Sequence, residues 1–223
     1  MFIVLNEGKK YSIILFMKRY AFVDVQNTAS TTEKMLDFVV DWMKVADFLK
    51  NKKSCSEVLF YTGIDNGDIE TAKEFDLLNK TPCCIVKSKS IFSYKNKDKI
   101  IAFKCSGCLK DNIQIINMGY RKKANCDVEL AVDVIDKSAP DVELLIFTGD
   151  GDFEYVIRKA LEKGVTKVTI VSYAGRDIKS GLTVAVYSTK LRALVSEKKD
   201  KVFYMSLLDI KENIKKEIPV VSI

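Results

Sequence analysis

The chain has no histidine among its 223 residues. That excludes Ser-His-Asp and Cys-His nucleophiles, paired-histidine ribonuclease chemistry and histidine-ligated zinc. Any hydrolysis must rest on carboxylates, lysines and a water activated by a metal ion. No apolar run approaches the ~20 residues needed to cross a bilayer. A secretory leader is not expected either, because Met1-Phe-Ile-Val-Leu-Asn-Glu-Gly-Lys-Lys10 places its apolar residues before its basic ones. The expectation is a cytoplasmic protein, without a membrane partner, whose six cysteines are mostly reduced. Internal repeats and low-complexity tracts are lacking too. What remains is long enough to bury a proper core, and 48% hydrophobic with 30% charged residues is ordinary for a soluble domain.

The most informative stretch is Glu143-Leu-Leu-Ile-Phe-Thr-Gly-Asp-Gly-Asp-Phe-Glu-Tyr-Val-Ile-Arg158. Residues 144–147 are continuously apolar, as in a strand buried on both faces of a parallel sheet. Residues 148–152 form a polar, glycine-rich turn. From Phe153 the apolar period becomes helical (Phe153, Val156, Ile157, Ala160, Leu161), and Gly164 stops it. Asp150 and Asp152 therefore stand at the carboxyl end of a core strand, where open α/β sheets place their ligands. A helix cap and a turn residue would account for two such aspartates. A calcium loop is excluded, because counting from Asp150 the sixth and twelfth positions are Tyr155 and Leu161. A phosphate cradle lacks its Gly-Lys-Ser/Thr. A site for a hard divalent cation is left, provided that other acids join.

Two further segments supply them. Tyr20-Ala-Phe-Val-Asp-Val-Gln-Asn27 reads as a short strand ending in Asp24, with Asn27 in the following turn. A haloacid-dehalogenase-like phosphatase would need an acid at position 26, which is Gln26. Arg121-Lys-Lys-Ala-Asn-Cys-Asp-Val-Glu-Leu-Ala-Val-Asp-Val-Ile135 opens a helix at Asn125 or Asp127, with Val128, Ala131, Val132 and Ile135 as its apolar face and Leu130 and Val134 beside it. Asp133 lies about 240° around that helix from Asp127 and points elsewhere.

The remaining elements alternate strand and helix. A two-piece helix is expected over 31–51, with Met35, Phe38 and Val39 as one stripe, Asp41 as a cap and Trp42 in the core. A strand at 58–62 ended by Gly63 and a helix at 69–79 facing inward through Ala72, Phe75 and Leu78 come next. Strands at 167–172 and 201–205, helices at 188–195 and 208–218 and an open loop at 175–181 complete the chain. Repeated βα order means a mostly parallel sheet covered on both sides. Residues 1–17 form an extension outside the domain, or else 12–17 add an edge strand to it, and 219–223 form a tail.

Charge is unevenly placed. Between Thr81 and Asn125 ten basic residues face only Asp98 and Asp111, so this segment carries +8 of a net +6 and the rest carries −2. Short strands at 83–86, 91–94 and 100–103 make it a β-hairpin insertion over about 81–120. Its lysines interleaved with Phe92, Tyr94, Phe103 and Tyr120 suit a nucleic acid. It also holds Cys83, Cys84, Cys105 and Cys108, read either as a four-cysteine structural Zn²⁺ site or as small residues of the hairpin.

Three of these pieces, Phe22-Val-Asp-Val-Gln-Asn27, Arg121–Asp133 and Phe147-Thr-Gly-Asp-Gly-Asp-Phe153, resemble in order and spacing the NYN-domain family, whose LabA-like branch belongs to the PIN-like nucleases. Asp41-Trp42, Tyr61-Thr-Gly63 and the 188–194 stretch are smaller echoes, and the resemblance covers residues 18–218. It implies a PIN-like three-layer α/β/α sandwich. It further implies that Asp24, Asp127, Asp150 and Asp152 converge as catalytic residues and ligands of Mg²⁺ or Mn²⁺, with Asn27 orienting the first of them. Thr148 is a further candidate for supporting the ligands, and Asp133 would be one only if the helix turned it toward them. RNA, expected to be single-stranded, is the implied partner and endonucleolytic hydrolysis the implied activity. Lys104, Arg121, Lys122, Lys123 and Arg158 are the candidates for holding the RNA backbone, with plain surface solvation as the alternative for each. A homodimer is compatible with the sequence without being required by it. Physics makes the same demand, since two carboxylates ~4 Å apart repel by roughly 4 kcal/mol at an effective dielectric near 20, so four would need a cation. Hard oxygen ligands select Mg²⁺ or Mn²⁺ over zinc. A binding-only RNA module and a small-molecule phosphatase are the rival readings.

Overall fold

The computed structural model describes residues 17–179 and 182–217. The expected tail at 219–223, and all but Met17 of the expected edge strand at 12–17, lie outside them. In chain order the elements begin β1 (Lys18–Asp24), α1 (Val25–Met35) and α2 (Trp42–Asp47), whose last turn continues as a π turn over Phe48–Lys52. β2 (Glu57–Ile64), α3 (Ile69–Asn79) and β3 (Cys84–Ser90) follow. An arm is then built from β4 (Phe92–Lys95), β5 (Lys99–Lys104), β6 (Asp111–Ile116) and β7 (Tyr120–Lys123). The chain returns through α4 (Asp127–Lys137), β8 (Val142–Phe147), α5 (Phe153–Glu162) and β9 (Lys167–Ser172). It closes with β10 (Arg176–Lys179), β11 (Leu182–Ala185), α6 (Thr189–Glu197), β12 (Val202–Ser206) and α7 (Lys211–Ile214).

Six strands form one sheet in the order β12-β9-β8-β1-β2-β3, and every neighbouring pair is parallel. Alternation along the strands divides the core in two. Ala21, Val23, Val58, Phe60, Leu145 and Phe147 face α1, α2, α3 and α7. Tyr20, Phe22, Leu59, Tyr61, Leu144 and Ile146 face α4, α5 and α6. This is the expected α/β/α sandwich. Asp24 continues the second face, because it follows Phe22 by two and pairs in register with Tyr61. Its carboxylate is thereby aimed to the α4 side of the sheet.

Several local expectations are overturned. The first helix starts at Val25, directly after Asp24, and ends at Met35, so Met35, Phe38 and Val39 form no common stripe. Its inward face is Val25 followed by Thr28, Thr31 and Thr32, and the threonines carry no apolar signal. Gly63 lies inside β2 and does not end it. On α3, Phe75 and Leu78 are buried while Ala72 is exposed. On α4 the buried line is Cys126, Leu130, Val134 and Ser138 at strict four-residue spacing, and Val128 and Val132 are exposed. β10 and β11 pair antiparallel where an open loop was expected, and the closing helix has only four residues. Asp41 does cap α2, accepting from the Lys44 amide at 3.0 Å, and Trp42 is buried against Phe60 and Phe75.

The basic segment is divided. β3 pairs with β2 as the edge of the main sheet. Beyond Ser90 the arm is two consecutive antiparallel pairs, β4 with β7 and β5 with β6. The hairpin insertion proper thus begins after β3.

Candidate active site at the carboxyl edge of the sheet

Chain order reverses between β1 and β8, since β1 is followed outward by β2 and β3 on one side and by β8, β9 and β12 on the other. Such a switch point opens a crevice at the carboxyl ends of the strands. Asp24 stands at the end of β1 and the Thr148–Asp152 turn at the end of β8.

Each part of this edge is held from below. Asp24 caps α1, its Oδ1 accepting from the Asn27 amide at 3.0 Å. The Asn27 side chain crosses the switch point, where its Oδ1 accepts from the Gly149 amide at 2.9 Å. Asn27 therefore holds Asp24 through its backbone and the opposite turn through its side chain. In that turn the Asp150 amide donates to Thr148 Oγ1 at 3.1 Å and the Asp152 amide to Asp150 Oδ1 at 3.0 Å. The two glycines are required by close approach of the segment before α6. A Cβ on Gly149 would lie 2.2 Å from the Val186 carbonyl oxygen, and one on Gly151 would lie 2.3 Å from Ser188 Oγ.

Asp127 comes from the third side. It occupies the first turn of α4, where the helix dipole favours a negative charge, and its amide donates to Asn125 Oδ1 at 2.7 Å. Asp24 and Asp127, with Gln26, Asn27, Tyr61 and Asn125, line one pocket of ≈ 370 Å³. Burial pushes the Asp24 carboxyl up to about 6; the Asn27 amide opposes this, and the like charges of Asp127 and Asp150 add to it. Three acids from separate segments are thus near enough to sense one another.

Asp152 is exposed and makes no side-chain capping bond to α5. Asp133 is a strut: it accepts from the Tyr61 hydroxyl at 2.6 Å and pairs with Lys87 at 2.7 Å. Burial and that acidic partner push the Tyr61 hydroxyl well up, so it stays a donor. Among the described residues, no three His, Cys, Asp or Glu side chains gather closely enough to form a metal's ligand set. The oxygen donors of Asp24, Asp127 and Asp150 suit a hard divalent ion in kind, and the repulsion they impose on Asp24 is what such an ion would relieve.

Lys104 is exposed at the end of β5, while Arg121, Lys122 and Lys123 contribute backbone to β7 and their side chains lie outside the described residues. Arg158 is paired with Glu154 and Glu197 and lines a different depression with Lys201. The cysteines separate as well. Cys84 starts β3 inside the main sheet, whereas Cys105 and Cys108 lie in the loop at the tip of the arm, which leaves from the other end of β3 about 20 Å along the strand.

Sequence reasoning missed Lys89, whose Nζ donates to the Asn125 carbonyl at 3.0 Å and pairs with Glu129 at 2.7 Å, next to Asp127. Its signal was the alternation of Lys87 and Lys89 on one face of β3. It also missed Gln26, which lines the pocket and donates to the Gly63 carbonyl at 3.3 Å. Gly63 has no room for a side chain there, since a Cβ would lie 2.4 Å from that of Ala124.

A parallel six-stranded α/β/α sandwich with acids gathered at its switch point defines the class of protein. The NYN domain family model matches residues 19–190, so the chain belongs to that nuclease-like family. It is 38% identical over 56 residues to the low amplitude and bright protein LabA of Synechococcus elongatus, a match that covers 25% of this chain and 30% of that protein. Its fold is similar to that of a protein of unknown function, VPA0982, from Vibrio parahaemolyticus, with a TM-score of 0.55 and 16% identity over 90% of this chain and 96% of the other. No helix among the described residues is long and apolar enough to cross a membrane.

Proposed function

We propose that the protein is an endoribonuclease that hydrolyses single-stranded RNA with the help of Mg²⁺ or Mn²⁺. The observation that carries this reading is that Asp24 and Asp127, from β1 and α4, line one pocket at the switch point, while Asp150 in the β8–α5 turn is near enough for its charge to raise the Asp24 pKa. To hold the ion, Asp24, Asp127 and Asp150 would have to draw closer together than they stand without it, with Asp152 as the neighbouring acid on the solvent side. When bound, the ion supplies positive charge to the phosphate and lowers the pKa of a water. Asn27 and Thr148 fix the turn that presents Asp150. The basic arm, within a segment that carries ten basic residues against two acids, gives the phosphate backbone a positive approach. Cleavage of an end-labelled single-stranded RNA in Mn²⁺, comparing wild type with Asp150→Asn, tests the proposal. We expect internal cuts by wild type that disappear in chelator and fall at least 100-fold in the variant.

A second reading, an RNA-binding module that does not cleave, is favoured by the looseness of the acidic group. RNA left intact but bound by both proteins would establish it over the first.

A further inference from the structure

The arm beyond Ser90 carries two features for which the pocket has no use. The first is its tip. β5 and β6 are joined through Cys105-Ser-Gly-Cys-Leu109. The Leu109 amide donates to the Cys105 carbonyl and the Cys105 amide to the Lys110 carbonyl, both at 2.9 Å, with Leu109 in the left-handed region at φ 58°. This turn curls over the Cys105 sulfur, which lies 4.0 Å from where a Gly107 Cβ would stand. The backbone N–H groups of Cys108 and Gly107 both donate to that sulfur, together with the Cys108 thiol, and they hold its pKa below the ordinary thiol value. Backbone donors aimed at a sulfur are what a metal thiolate needs behind it. Two cysteines with two residues between them, one of them so prepared, make half of a tetrahedral zinc site.

The other half is not found among the described residues. No third Cys, Asp or Glu among the described residues joins the pair, and there is no histidine to recruit. The second feature indicates where it comes from. Register pairs Ile100 with Ile115, Ala102 with Ile113 and Lys104 with Asp111 on one face of the β5–β6 hairpin. Ile100, Ile113 and Ile115 are 67, 72 and 66% exposed. A two-stranded hairpin with such a bare apolar face is marginal in water. The face is also self-complementary, because a two-fold axis would set Lys104 of one arm against Asp111 of the other while covering the isoleucines.

We propose that Cys105 and Cys108 form half of a tetrathiolate zinc site, completed by the same two cysteines of a second copy so that two arms are clamped tip to tip. The proposal is independent of the nuclease reading. Full-length protein purified under reducing conditions and loaded with Zn²⁺ should hold about one half ion per chain and elute as a dimer by light scattering. Co²⁺ in its place should give the intense sulfur-to-metal absorption of four-thiolate coordination. Cys105→Ser and Cys108→Ser should each lose the metal and the dimer without changing the thermal melt of the sheet, whereas Cys83→Ser should change neither. Ile113→Lys should weaken the dimer with all cysteines present. One zinc ion per monomeric chain, zinc retained in both variants, or reduced protein that takes up no zinc would each overturn the proposal.

Discussion

Replacing Asp24 by Asn should stabilise the metal-free protein, although it removes a residue of the candidate active site. The wild-type carboxyl moves from 3.8 to about 6 on folding, chiefly through burial. Because folding raises this pKa, the folded state favours the protonated form. Its contribution is fully present below the unfolded value and is lost as pH climbs through about 6. At pH 7.5 a shift of that size costs about 3 kcal/mol, at 1.36 kcal/mol per pKa unit. Asn keeps the shape and an oxygen for the Asn27 amide while removing the charge. With EDTA present, Asp24→Asn should therefore melt roughly 6–12 °C above wild type at pH 7.5. At pH 5 the advantage should shrink to about half, and at pH 4 it should nearly vanish. Differential scanning calorimetry across that range measures it. A variant that melts lower than wild type, or a difference unchanged between pH 7.5 and 4, would refute the idea that Asp24 is a charge held in an unfavourable place for use.

Gly149→Ala should destabilise by about 1–3 kcal/mol and abolish RNA cleavage, since its Cβ must displace the Val186 carbonyl; chemical unfolding and the cleavage assay read both effects. Asn27→Ala should cost about 1–3 kcal/mol by leaving the buried Gly149 amide without its acceptor, and hydrogen exchange at Gly149 should accelerate. Leu144→Ala, at the centre of the sheet, should cost about 2–5 kcal/mol in urea unfolding. Replacing Arg121, Lys122 and Lys123 by Ala should lower the salt dependence of RNA binding by roughly 0.7 in log–log slope for each phosphate that is no longer neutralised.

The parts of this fold legible in the sequence are those where one physical signal dominates. β8 is continuously apolar from Leu144 to Phe147 and α5 alternates at helical period, so strand, turn and helix were expected within two residues of where they lie. α1 was hidden because its buried face beyond Val25 is threonine and its N-terminal signal is the aspartate that also ends β1. On α4 the valines at 128 and 132 drew the predicted face outward, while the inward line used Cys126 and Ser138, which hydropathy does not mark. The candidate site was legible as a set of acids but not as a geometry. That Asp24, Asp127 and Asp150 share a neighbourhood while Asp152 is exposed follows from strand register and from tertiary bonds such as Asn27 to Gly149. The separation of the two cysteine pairs was equally out of reach, because it depends on β3 joining the main sheet.

The most direct test is titration of the chelator-stripped protein with Mn²⁺, followed by calorimetry and electron paramagnetic resonance. Wild type should bind the ion and melt higher with it, and Asp24→Asn, Asp127→Asn and Asp150→Asn should each lose most of that affinity. Mn²⁺ that binds all four proteins alike, or none of them, would show that these aspartates are not a cation site.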